Sequence, residues 1–215
     1  MDSERAFEVS RRSAGAAWVV AGLLVLAWGA SVRLAGAQPV EVERATDILG
    51  QWEPSRHLYV KGSVGVGAAQ LAELEAWLQV NATNWTVALL DHAKDERFTD
   101  AAGESFSGMD AVEHALGKGL PNQTAFGSFT DPRTGERNGA FFVLFLDERK
   151  FSYFGSEAQD RRGLGEDRWV GQLDGPAIAA MRSGGRVVDA VKDTITSIEG
   201  QLTRRISAER TEGER

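Results

Sequence analysis

Apolar and polar positions alternate along this chain in two periods, and those periods predict its elements. Residues 140–146 form an unbroken apolar run rich in Phe and Leu, bounded by Gly139 and by Asp147-Glu148-Arg149-Lys150. Such a run predicts a strand buried on both faces. The four polar residues then predict a short turn, and 151–154 a returning strand closed by Gly155. A second buried strand is predicted over 85–90, with Asp91 at its carboxyl end. The β-prone, glycine-punctuated stretches 58–60 and 64–66 predict a first strand.

Helical spacing appears between these runs. Leu71, Leu74 and Leu78 predict an amphipathic helix over 68–80 with Glu73 and Glu75 facing outward. Met109, Val112 and Leu116 predict another, opened by Ser107 as a capping residue and stopped at 117–121. A helix is expected near Pro176, Ile178 and Met181, broken by Gly184-Gly185. Val187, Val191, Ile195, Ile198 and Leu202 predict a last long helix. The stretch 38–56 reads as a lead-in or short helix, 91–103 as a charged loop and 207–215 as a charged tail. The order strand–helix–strand–helix–strand–strand–helix–helix makes this an α/β chain with a mixed sheet of about four strands, its domain over 57–206.

The first 37 residues have a different character. Arg5, Arg11 and Arg12 precede 13–32, a stretch without a charge, and Ala35-Gly36-Ala37 follows just before Gln38. A basic start, an apolar stretch and a small-x-small site predict a secretory signal. Residues 13–32 are also long enough for an uncleaved membrane anchor. Under both readings the arginines stay cytoplasmic and the body is exported, to a periplasmic or other extracytoplasmic site.

From Gln38 onward, 20 Lys and Arg oppose 28 Asp and Glu, a balance of 20 − 28 = −8. That acidity, with no basic patch interleaved with aromatics, weighs against a nucleic-acid partner. The chain has no cysteine, which excludes a disulfide framework, a thiolate metal site and a cysteine nucleophile. His57, His92 and His114 are far apart and lack metal-ligand spacing. Gly65-Val66-Gly67-Ala68-Ala69-Gln70 imitates a dinucleotide fingerprint, but Gln70 stands where the third glycine belongs.

Three local patterns resemble the TPM domain, a family of small exported or membrane-tethered domains. Asn138-Gly139 leads into an apolar strand ending Asp147-Glu148-Arg149-Lys150, similar to the family's Asn-Gly, strand and Asp-Asp-Arg-Lys. Phe154-Gly155-Ser156-Glu157 is similar to its Gly-Tyr-Gly-Leu-Glu. Met181-Arg182-Ser183-Gly184-Gly185 and the helix after it resemble its phenylalanine-Arg-x-Gly turn and following helix. The resemblance covers about 58–202 and implies a three-layer α/β/α sandwich, a divalent-cation site in some members and acid phosphatase activity in a few. Other members are accessory factors at membranes, so a membrane-protein partner is also implied. Two departures count against catalysis: Arg137 precedes Asn-Gly where an acidic residue is common, and one glycine remains of the Gly-Tyr-Gly.

Two candidate sites follow. If the strands ending at Asp91 and Asp147 are parallel neighbours, both carboxylates emerge at the carboxyl edge of the sheet, where open α/β folds bind ligands. With Glu148 they offer hard oxygens suited to Ca²⁺ or Mg²⁺, which a phosphatase uses to activate water. The alternative is that they are turn residues bonding local backbone. Asn138, Gly139, Glu157 and Asp160 are expected to meet at the opposite edge as a ligand-binding cluster, or else to be solvated hairpin ends. The function expected is an accessory or binding role at the membrane, with a metal-assisted phosphatase as the alternative.

Overall fold

The structure, a computed structural model, describes residues 38–165 and 186–213. The expected signal or anchor, the helix near Pro176 and the Met181–Gly185 turn lie outside the described residues. In chain order come β1 (Val40–Val42), a 3-10 turn (Ala45–Asp47), α1 (Ile48–Gln51), β2 (Leu58–Lys61), α2 (Ala68–Asn81) and β3 (Trp85–Leu90). A small hairpin follows, β4 (Arg97–Thr99) and β5 (Ser105–Ser107), then α3 (Met109–Gly119) and α4 (Thr124–Gly127). The central hairpin is β6 (Ala140–Phe145) and β7 (Lys150–Phe154), followed by α5 (Glu157–Asp160) and the long α6 (Val187–Gly213).

One mixed sheet carries the fold, in the order β1-β2-β3-β6-β7. Its first four strands run parallel and β7 returns antiparallel to β6. Every residue of β3 and β6 is buried, as expected of parallel strands covered on both faces. The pleat sends alternate side chains to opposite cores. Leu58, Val60, Val87, Leu89, Phe142 and Leu144 pack under α2 and α6 with Leu74, Leu78, Ile195, Ile198 and Leu202. Tyr59, Ala88, Leu90, Phe141, Val143 and Phe145 pack on the other side with Ile48, Val112, Leu116 and Phe126. Helices therefore lie on both faces of the sheet.

The structure corrects several expectations. The α/β fold with a mixed sheet is as expected; the lead-in adds a fifth strand, β1, at its edge, pairing Val40 with Tyr59. Residues 64–66 are not a strand, and the charged loop contains β4. Glu75 is fully buried rather than outward, because both its carboxylate oxygens accept the His57 N–H, at 3.3 and 3.2 Å. Ser107 ends β5 instead of capping α3; Gly108, at φ 65°, makes the reversal, and no side chain caps the helix. The tail is helical as far as Gly213, with Ile206 still buried against the sheet.

Candidate functional site

The parallel order puts the ends of β2, β3 and β6 side by side, and the expected neighbours Asp91 and Asp147 are joined there. The Asp147 N–H donates to the Asp91 carbonyl at 2.8 Å. The side chains of Asp91 and Glu148 are engaged by nearby backbone. Asp91 Oδ1 accepts the His92 N–H at 2.7 Å, and Glu148 Oε1 accepts the Ala93 N–H at 2.9 Å, while Asp147 is exposed. This is the local backbone bonding of the turn-residue alternative for Asp91.

The dominant charge at this edge is one that sequence reasoning missed, the side chain of Lys61, only 6% exposed. Its ammonium lies 3.0 Å from Asp95, 3.2 Å from the buried Glu96 and 3.9 Å from Asp91, and donates to the His92 carbonyl at 2.9 Å. Burial alone would lower the Lys61 ammonium, but its bonds to Asp95 and Glu96 outweigh that and shift it upward. The same bond holds Asp95 below the usual carboxylate range. The available signal was Lys61 as the lone charge closing an apolar β-run. Among the described residues, no three His, Asp or Glu side chains gather into a group able to hold a metal ion. Asp91, Asp147 and Glu148 thus share an edge without forming a cage.

The opposite edge, where β6 begins and β7 ends, holds a cavity of about 300 Å³. Gly139, Glu157 and Asp160 line it, three of the four residues expected to meet there. The fourth, Asn138, is buried behind the wall, where its Oδ1 accepts a bond from Ser156 Oγ at 3.1 Å. The walls also include Arg137, Ser156 and Arg161 as polar surface and, as apolar surface that no sequence pattern placed there, Pro121 and Phe126.

Close backbone approach shapes this wall. A Cβ at Gly155 would stand 2.7 Å from Asp160 Oδ1 and 3.2 Å from the Tyr153 hydroxyl, so only glycine leaves room for that carboxylate. Asp160 is exposed as a residue, yet its carboxyl rests against the Gly155 and Gly165 backbones, and burial pushes it above the usual range. Neither the Asp160 carboxylate nor the Arg137 guanidinium has a hydrogen bond or ion pair among the described residues. Arg161, by contrast, is held by Glu136 at 3.0 Å and Glu157 at 3.5 Å. Arg162 is engaged by Glu136 at 2.5 Å and Glu209 at 2.8 Å.

A buried polar network fixes the wall from behind. Tyr153 OH donates to Gln159 Oε1 at 2.5 Å, and that oxygen also accepts the Ser156 N–H at 2.8 Å. Trp85 Nε1 and Gln159 Nε2 both donate to Glu199 Oε1 on α6, at 2.8 and 3.4 Å. Such a network sets the positions of Ser156 and α5.

Compared with known proteins, the chain matches no family model, no curated protein and no solved structure. Among the described residues, no helix is long and apolar enough to cross a membrane, and the expected span 13–32 lies outside them.

Proposed function

We propose that this protein is an exported, TPM-like accessory or binding protein, tethered or delivered by its N-terminal segment, whose α/β body takes a small ligand at the amino edge of the sheet. One observation carries the reading. A cavity of about 300 Å³ is bounded by apolar surface and by two charged groups, Asp160 and Arg137, that find no partner among the described residues. Concave sites with an apolar lining and a few convergent polar groups are where proteins hold small molecules. In this proposal the N-terminal segment supplies the contact with the membrane, and a membrane protein is the partner.

The test is the thermal midpoint of the full chain in a series of small organic probes: amines, carboxylates, amino acids and phosphomonoesters. A ligand that binds only the folded state raises the midpoint in proportion to its saturation. A saturable rise with a probe, lost when Asp160 or Arg137 is neutralised, supports the reading; no rise with any class overturns it.

A metal-assisted phosphatase is the second reading. It is favoured by the placement of Asp91 and Asp147 on adjacent parallel strand ends, with Glu148 beside them and Ca²⁺ or Mg²⁺ as the cation. Against it stand the engagement of Asp91 and Glu148 by backbone N–H groups and the proximity of Lys61 to Asp91. A midpoint rise with Ca²⁺ or Mg²⁺ that Asp147→Asn abolishes would favour this second reading.

A further inference from the structure

The two unpartnered charges on the cavity wall have opposite sign, and they differ from every other charge described around them. Glu157 shares Arg161, Arg161 and Arg162 share Glu136, and Arg162 also holds Glu209. Asp160 and Arg137 alone among the wall's charged groups have no hydrogen bond or ion pair within the described residues. They come from opposite sides of one backbone bridge, because the Ala158 N–H donates to the Arg137 carbonyl at 3.0 Å. The starts of β6 and α5 are therefore tied together beneath the two side chains.

A charge beside an apolar wall is stabilised when a ligand supplies a charge-assisted hydrogen bond, stronger than a neutral one. A ligand carrying only an anion would meet Arg137 and bring negative charge toward Asp160. One carrying only a cation would do the reverse. A ligand bearing both charges answers both groups. The remaining surface, Pro121 and Phe126, asks for an apolar body, and a volume of about 300 Å³ lies at the small end of ligand cavities. Resting on the reading of this cavity as the binding site, we infer that its ligand is a small zwitterion with an apolar side chain, an aromatic or large aliphatic α-amino acid. Its ammonium group is held by Asp160, its carboxylate by Arg137, and its side chain lies on Phe126.

The experiment is calorimetric titration of the full chain with three probes of nearly equal size: L-phenylalanine, 2-phenylethylamine and 3-phenylpropionate. L-Phenylalanine is expected to bind at least about tenfold more tightly than either analogue, the scale of one lost charge-assisted bond. Asp160→Asn should remove most of its advantage over 3-phenylpropionate, and Arg137→Gln most of its advantage over 2-phenylethylamine. Both side chains belong to exposed residues with no bond to lose among the described residues, so both variants should fold. Equal or tighter binding of either singly charged analogue overturns the zwitterion while leaving the cavity as a site. Binding of L-phenylalanine that neither variant weakens also overturns it. Heat from none of the three, with a phosphomonoester or another probe still raising the midpoint, overturns the ligand class alone. Silence from every probe overturns the site as well.

Discussion

The indole N–H of Trp85 donates to Glu199 Oε1 at 2.8 Å, tying the start of β3 to the middle of α6 across 114 residues of sequence. Asn84 Nδ2 reaches the same oxygen at 3.3 Å and also holds the Asn138 carbonyl at 2.8 Å. One carboxylate therefore anchors the last helix to the edge that carries the cavity. Glu199→Ala leaves the buried indole without its acceptor, and we expect a loss of about 1–3 kcal/mol in denaturant unfolding. Glu199→Gln, which keeps an acceptor oxygen, should lose less.

Lys61 is expected to be the most sensitive position at the carboxyl edge. Lys61→Met keeps the volume but leaves Glu96, 1% exposed, without its cation. Stranding a buried charge costs about 3–5 kcal/mol. Equilibrium unfolding should show that loss, and the double variant with Glu96→Gln should recover much of it.

Acid should destabilise the body through Asp131 and Glu136. Arg133, 2.5 Å from Asp131, holds that carboxyl below its ordinary value, and Arg162 does the same for Glu136. A carboxyl depressed in the folded state contributes stability that is present above its unfolded pKa, about 4. The contribution is lost as pH falls from there through the lower folded value. Asp131→Asn should therefore lower stability at neutral pH and flatten its fall below about pH 4. Asp160 has the opposite sign, since burial raises it, so Asp160→Asn should slightly stabilise the protein at neutral pH.

Gly62 follows β2 at φ 69°, and the Asp91 carboxylate occupies the place where a Cβ would stand. Gly62→Ala combines left-handed backbone strain of about 1–2 kcal/mol with displacement of that carboxylate. A thermal melt should show a midpoint several degrees lower, and more than Gly50→Ala, where a Cβ meets nothing.

The sequence made the central elements legible because they are long and periodic. Trp85–Leu90, Ala140–Phe145, the returning strand and the leucine face of Ala68–Asn81 were all readable from runs and spacing. Three-residue strands such as Val40–Val42 and Arg97–Thr99 carry no measurable period; they form because a neighbouring strand offers free backbone groups. Glu75 was misread because a charged residue on a helix is normally solvated, and only the His57 N–H supplied by the folded chain reverses that. At the cavity, hairpin geometry alone brought Gly139, Glu157 and Asp160 to one edge. The distant Pro121 and Phe126 joined them through the packing of α4, which no local pattern encodes.

The most direct test of the binding site is an amide resonance map of the full chain, titrated first with L-phenylalanine and then with Ca²⁺. The amino acid is expected to shift Gly139, Gly155, Ser156 and Asp160 together and saturably, leaving Asp91, Asp147 and Glu148 in place. Shifts confined to those three carboxyl-edge residues, appearing with Ca²⁺ and absent with every organic probe, would rule out a binding site at the amino edge.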